Sequence, residues 1–176
     1  ARWCETGGAE GAPVSFEDMD LRALDSLANR NLTALKAPRA TFYGLNMEGA
    51  QLQGANLRGA DLRCVKLAGA DLRGADLTAA RLNNADLRGV KMAPLLLSRS
   101  RRHHACLDNA ALRYVDLSGA DLRGLRARTS DFSHAVLIGA DLRGAALIDS
   151  CFTGARLPAG IETAADLTGA VDVAAA

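Results

Sequence analysis

Apolar side chains recur along the chain at intervals of five. Stepping by five from Phe42 to Asp172 gives 27 positions, of which 18 are Leu, three Phe and two Met, the exceptions being Arg102, Ala127, Glu162 and Asp172. Two places before each of these stands a second column, from Ala40 to Ala170, filled mostly by Ala. The position between the columns is polar and is often Asp, as in Asp61, Asp71, Asp76, Asp86, Asp116, Asp121, Asp131, Asp141 and Asp166. After the Leu comes Arg in many units (Arg58, Arg63, Arg73, Arg88, Arg113, Arg123, Arg143), and then usually Gly.

A period of five fits neither a continuous helix, at 3.6 residues per turn, nor a long strand, at two. The chain must therefore turn a corner in every unit. In an extended segment two residues two apart point the same way, so the Leu and the small residue face inward and the Asp between them faces out. Gly makes the bend, because it accepts backbone angles closed to other residues. Repetition of such a unit winds a solenoid whose coils stack at the inter-strand spacing of about 4.8 Å, with Leu along the axis and Ala letting the walls approach. Between Ala50 and Val90 the units run with hardly a break.

These Ala-Asp/Asn-Leu-x-Gly units resemble the pentapeptide-repeat family over about residues 40 to 170. The resemblance implies an all-β fold, a right-handed quadrilateral β-helix with four units per coil. Roughly seven such coils would make a rod about 30 Å long.

Residues 1–39 lack the pattern and read as an N-terminal arm and capping helix, residues 40–172 as the β-helix, and residues 173–176 as a tail. The arm, residues 1–14, carries Trp3 and Cys4. Ser15 stands as a helix cap with Asp18 three residues on, and Leu21, Leu24 and Leu27 or Ala28 form an apolar stripe, which predicts a helix over 16–28. Such a helix would cover the open apolar end of the stack. The other large disturbance is Ala93 to Ala105, where Pro94 replaces the corner Gly and Arg102 falls in a Leu column. A charged Arg buried without a partner costs several kcal/mol, roughly, so a loop is expected to leave the wall after Met92 and to return by Leu107. Near the end, Pro158, Gly160 and Glu162 break the pattern before Asp166-Leu167 restores it, which predicts an irregular last coil.

Charge narrows the function. Lys and Arg number 21 against 20 Asp and Glu, a net charge of +1, so no global field draws the chain to nucleic acid or to an acidic membrane. No apolar run approaches the ~18 residues needed to cross a bilayer. The Asp residues share one repeat position beside Arg and read as a solvated face rather than as acid/base pairs. No Cys/His spacing matches a zinc site, no Gly loop opens a helix to cradle phosphate, and no cofactor is expected. Cys64, Cys106 and Cys151 fall in different columns, so no disulfide is expected among them, while Cys4 in the arm could reach any.

The residues that break the rule are the candidates for function. Arg99, Arg101, Arg102, His103 and His104 form a concentrated basic patch, and Trp3 is an aromatic in the arm. A non-enzymatic scaffold that binds a protein partner through these residues is the expected function, with no nucleic acid among its partners. The family resemblance also implies two further settings. Some members mimic DNA and inhibit gyrase, which requires a strongly negative surface; here the repeat arginines and the basic loop cancel the Asp column. Others are processed proteins of the chloroplast thylakoid lumen, and an Ala start and neutral charge fit a peripheral subunit of a photosynthetic membrane complex. A bacterial cytoplasmic protein would read the same way.

Overall fold

In the computed structural model, which describes residues 15–98 and 100–173, the outward residue of each unit pairs with its counterpart one coil away through a parallel bridge. Gln51 bridges Asp71, Asn56 bridges Asp76, Asp61 bridges Arg81 and Lys66 bridges Asp86, each pair four units apart, so four units make one coil. The hydrogen bonds follow the repeat. Leu57 N–H donates to the Asp76 carbonyl at 2.7 Å, and Asp76 N–H donates to the Ala55 carbonyl at 2.8 Å, so a rung holds its neighbours through both backbone groups. Within a unit the bend is closed by Ala60 N–H donating to the Leu57 carbonyl at 3.1 Å. Each rung is a single bridged residue rather than a strand, because the corner comes before a longer pairing can form.

The corner demands left-handed backbone. Gly59, at φ 63°, accepts it without strain, whereas Thr129, at φ 53°, and Tyr114, at φ 59°, carry a side chain into a region that bulky residues rarely occupy. Continuous ladders on both sides hold them there. The axis is filled as the repeat predicts, with the Leu and Ala columns of the central coils fully buried. Phe132 and Phe152, one coil apart, stack with ring centroids 5.1 Å apart and planes 6° from parallel. Where Ser replaces Ala, the hydroxyl is satisfied: Ser130 and Ser150 are buried, and their Oγ donate at 2.7 Å to the Leu107 and Ala127 carbonyls.

No capping helix forms over 16–28. The predicted helix is instead the first coil of the solenoid, with Ser15 bridging Lys36 and Asp20 bridging Thr41. These steps are longer by one than the regular step from Asn31 to Gln51, so the first coil holds one extra residue between Asp20 and Asn31, where the chain bends at Asp25. Phe16, Leu21, Leu27 and Leu32 thus stand at intervals of five, six and five, and the interval of six brings Leu21, Leu24 and Leu27 into a helical spacing by coincidence. The ladder prevails because the coil below already offers acceptors: Phe16 N–H donates to the Lys36 carbonyl at 2.7 Å, and Leu21 N–H to that of Thr41 at 2.9 Å. Leu21 is buried, whereas Leu24, the middle of the supposed stripe, stays exposed. The repeat wall therefore begins by Ser15, upstream of residue 40.

Between Met92 and Ala105, both buried, the chain leaves the wall. Strand β1, Leu95–Leu96, pairs antiparallel with β2, Arg102–His103, as a short hairpin. Bridges across this excursion, such as Asp76 to Cys106 and Lys91 to Asp121, are two units longer than the regular step, so the hairpin is an insertion of two units' length that leaves the four ladders continuous. Near the other end a short helix α1, Ile161–Ala164, replaces one rung. Pro158 has no N–H to give a ladder. Glu162 occupies the Leu position but is exposed, and its neighbour Ile161 is fully buried in its stead. Asp166 and Val171 then resume the rungs to Ala146 and Cys151.

Candidate functional site

The wall shows first what the Asp and Arg columns do. In unit after unit an Arg folds back on the Asp two residues before it: Arg63 on Asp61 at 2.6 Å, Arg73 on Asp71 at 2.7 Å, Arg88 on Asp86 at 2.6 Å and Arg143 on Asp141 at 2.6 Å. The same carboxylate also accepts the Arg backbone N–H, at 3.2 Å from Arg73 to Asp71, so the extended geometry of the unit sets the pair. Hydrogen bonds from Arg63 hold the Asp61 carboxyl below its ordinary value, and Arg123 and Arg143 do the same for Asp121 and Asp141. At Asp71 burial pushes the other way, and the side-chain and backbone bonds of Arg73, with that of Gln53, outweigh it. Asp20, beside Arg22, is brought down to about 2. Carboxylates held ionised in this way have no proton to give near neutral pH, and their partners are neighbours in the same unit.

The hairpin departs from this self-satisfied surface. Leu95 faces His103 and Leu96 faces Arg102 across the two strands. The tip is closed by Leu97 N–H donating to the Arg101 carbonyl at 2.9 Å and by Arg101 N–H donating to Ser98 Oγ at 3.1 Å. It folds back onto two glycine corners of the wall. A Cβ on Gly74 would stand 3.0 Å from His103 Cδ2 and 3.1 Å from Leu95 Cβ, and one on Gly124 would stand 3.0 Å from Pro94 Cγ and 3.1 Å from His104 Nδ1. His104 Nδ1 lies 2.7 Å from the Gly124 carbonyl; a carbonyl can only accept, so this nitrogen carries the proton. The seat fixes the direction in which the hairpin projects.

Four of the predicted site residues, Arg101, Arg102, His103 and His104, come together on this hairpin and are exposed. Arg99 and Trp3 lie outside the described residues. Arg102, His103 and His104 border a cleft that also includes Arg58, Asp76 and Cys106, where Arg58 is held by Asp76 at 3.0 Å. The sequence reading missed the apolar half of the feature. Leu96 is 69% and Leu97 53% exposed, and they stand beside the basic residues as the least buried leucines of the hairpin. The signal was present: Leu95-Leu96-Leu97 fills the small, polar and Leu positions of one unit with the same residue, which no regular unit does.

Cys64, Cys106 and Cys151 are free thiols, partly buried in separate columns. Hydrogen bonds with Ser133 and Thr153 lower the Cys151 pKa, and both hydroxyls are held in turn by carboxylates, Ser133 by Asp131 and Thr153 by Asp172. Among the described residues no group of three or more His, Cys, Asp or Glu is placed to hold a metal ion, and no helix is long and apolar enough to cross a membrane.

Comparison with solved structures finds QnrB1, a plasmid-mediated fluoroquinolone resistance protein, 16% identical over 90% of this chain and 91% of that chain at a TM-score of 0.32. HetL, a pentapeptide repeat protein involved in heterocyst differentiation regulation in the cyanobacterium Nostoc, is 23% identical over 97% of this chain and 90% of that one, at 0.29. A pentapeptide repeat protein of the Arabidopsis thaliana thylakoid lumen is 23% identical over 74% and 76%, at 0.26. No curated protein sequence gives a significant match. The family model for pentapeptide repeats matches in eight copies, over residues 27–63, 59–92, 105–135 and 128–158, passing over the hairpin between them. With more than half of its length matched in this way, the chain belongs to the pentapeptide-repeat family, whose fold is the right-handed four-sided β-helix.

Proposed function

We propose that this protein is a non-enzymatic interaction scaffold, a rigid β-helical rod that presents the 94–104 hairpin to a protein partner within a larger assembly. The observation that carries this reading is the exposure of Leu96 and Leu97 on an element held in fixed orientation by the Gly74 and Gly124 corners. Apolar side chains exposed beside Arg are what protein interfaces collect, and a seated hairpin offers them at low ordering cost. A peripheral place in a membrane complex, including a photosynthetic one, fits a net charge of +1 and a wall whose charges satisfy one another. The alternative, mimicry of DNA toward a type II topoisomerase, needs an unbroken negative face, and the arginine on each of Asp61, Asp71, Asp86, Asp121 and Asp141 weighs against it.

The repeat itself supplies the test. Removing residues 95–104 joins Met92-Ala93-Pro94 to Ala105-Cys106-Leu107 and places Leu107 five positions after Met92, a regular unit; adding Pro94→Gly restores the usual corner. The shortened protein should keep the far-ultraviolet circular dichroism of the parent and lose capture of its partner in a quantitative pull-down from the source cells. Equal capture by a folded shortened protein would overturn the proposal.

A further inference from the structure

Taking the hairpin as the interaction element, we infer that the corner beside it binds an extended acidic segment of the partner protein, with one apolar side chain of that segment resting on Leu96. Two clefts meet at this place. One is bordered by Arg73, Lys91, Pro94, Leu96, Asp121 and Arg123. The other lies between Pro94, Leu96 and Arg102 on the hairpin and Arg123 and Arg143 on the wall. Together they set five permanent cations around a path that has a single carboxylate, Asp121, in its lining.

The cations are of two kinds. Lys91 and Arg102 are exposed and make no ion pair among the described residues. Arg73, Arg123 and Arg143 are held on Asp71, Asp121 and Asp141 through Nε and one terminal nitrogen, Nη2. Their net charge is largely cancelled, but each guanidinium is fixed in direction and keeps the N–H donors of Nη1 for another acceptor. The Arg143 side chain is 73% exposed although paired. An incoming carboxylate thus meets donors already ordered, at little entropic cost.

The floor of the path is backbone. Gly124 and Gly144 line it; the first already carries Pro94 and His104, whereas a Cβ placed on Gly144 would have nothing within 4 Å, so an extended chain can lie close along the Gly144 corner. Pro94 and Leu96 form the apolar side. No Phe, Tyr or Trp lines either cleft, and the one ring in the lining, His104, is tied to the Gly124 carbonyl and set against that corner, so a nucleic acid strand would find cations but no row of aromatic faces on which to stack successive bases. An acidic peptide with an apolar anchor uses both halves of the lining.

The test is fluorescence anisotropy with the full protein and three labelled probes: a short peptide of Glu and Gly with one central Leu, the same peptide with Ser in that place, and a single-stranded DNA of matching length. The Leu peptide should bind about fivefold more tightly than the Ser peptide, and Leu96→Ser should abolish that difference. The double variant Lys91→Glu, Arg102→Glu should weaken both peptides by about tenfold, and added salt should weaken them further. Arg156→Ala, at the end of a different ladder, removes a charge as a control and should leave them unchanged. Equal binding of the two peptides, or DNA bound as tightly as the Leu peptide, would refute the assignment. If loss of residues 95–104 abolishes partner capture while neither peptide binds, the acidic class falls and the interaction reading stands. If that shortened protein captures its partner as before, the interaction reading falls, and the inference with it.

Discussion

At the scale of single residues the chain is governed by two-residue spacing. Asp and Arg two apart on an extended segment share one side of the wall, and the resulting pairs keep the carboxyls of Asp61, Asp86, Asp121 and Asp141 below their ordinary range. A depressed folded value means that the pairs add stability above the unfolded carboxylate pKa, near about 3.9, and lose it as pH falls through the lower folded value. Thermal melts should therefore be flat from pH 7 to about pH 5 and decline from about pH 4 downward; a decline beginning between pH 7 and 6 would contradict this assignment to carboxylates. The Asp, Leu and small columns were legible in the sequence because each repeat position has one environment throughout. The exposure of Leu96 and Leu97 was harder to see, although they fall in the stretch expected to leave the wall, because Leu97 keeps the count of five and so reads as one more core leucine.

At the scale of elements, the excursion was legible in the chain and the first coil was not. The loop announced itself through Pro94 and through Arg102 in a column that cannot bury charge. The first coil hid because a single extra residue near Asp25 broke the count of five and made Leu21, Leu24 and Leu27 mimic a helical face, while Ser15 and Asp18 mimicked a cap. Propensity yielded to tertiary context: a rung that meets waiting carbonyls on the coil below gains more than an isolated helix on an open end. The hairpin depends on the same kind of context. Gly124→Ala adds a methyl 3.0 Å from Pro94 Cγ at a residue with φ +62°, so it should cost about 1–2 kcal/mol. It should also unseat the hairpin, seen as faster amide exchange at Leu97 and Arg101, whereas Gly144→Ala, with open space above it, should carry only the backbone cost and leave those amides as they were.

For the whole molecule, each coil touches only the coils above and below, so damage should stay near its source. Phe152→Ala removes one ring of the Phe132–Phe152 stack in the penultimate coils and should cost about 3–5 kcal/mol. Hydrogen exchange should show the coils after about residue 126 opening first while residues 40–90 remain protected; uniform loss along the rod would show a single cooperative unit instead. The regular one-coil step of the bridges carries a further consequence for how the rod is made. Most folds built wholly from β pairing must close long loops before any contact rewards them, and they fold slowly. Here partners stand a single coil apart along the chain, save where the hairpin intervenes. One coil out of the whole chain corresponds to a relative contact order of about 0.11, within the range of small helical bundles. Once one coil has closed, each later coil lays itself on a finished edge. The main phase of refolding from denaturant, followed by stopped-flow circular dichroism, should accordingly fall within milliseconds to tens of milliseconds, nearer the speed of a helical protein than that of a β-sandwich.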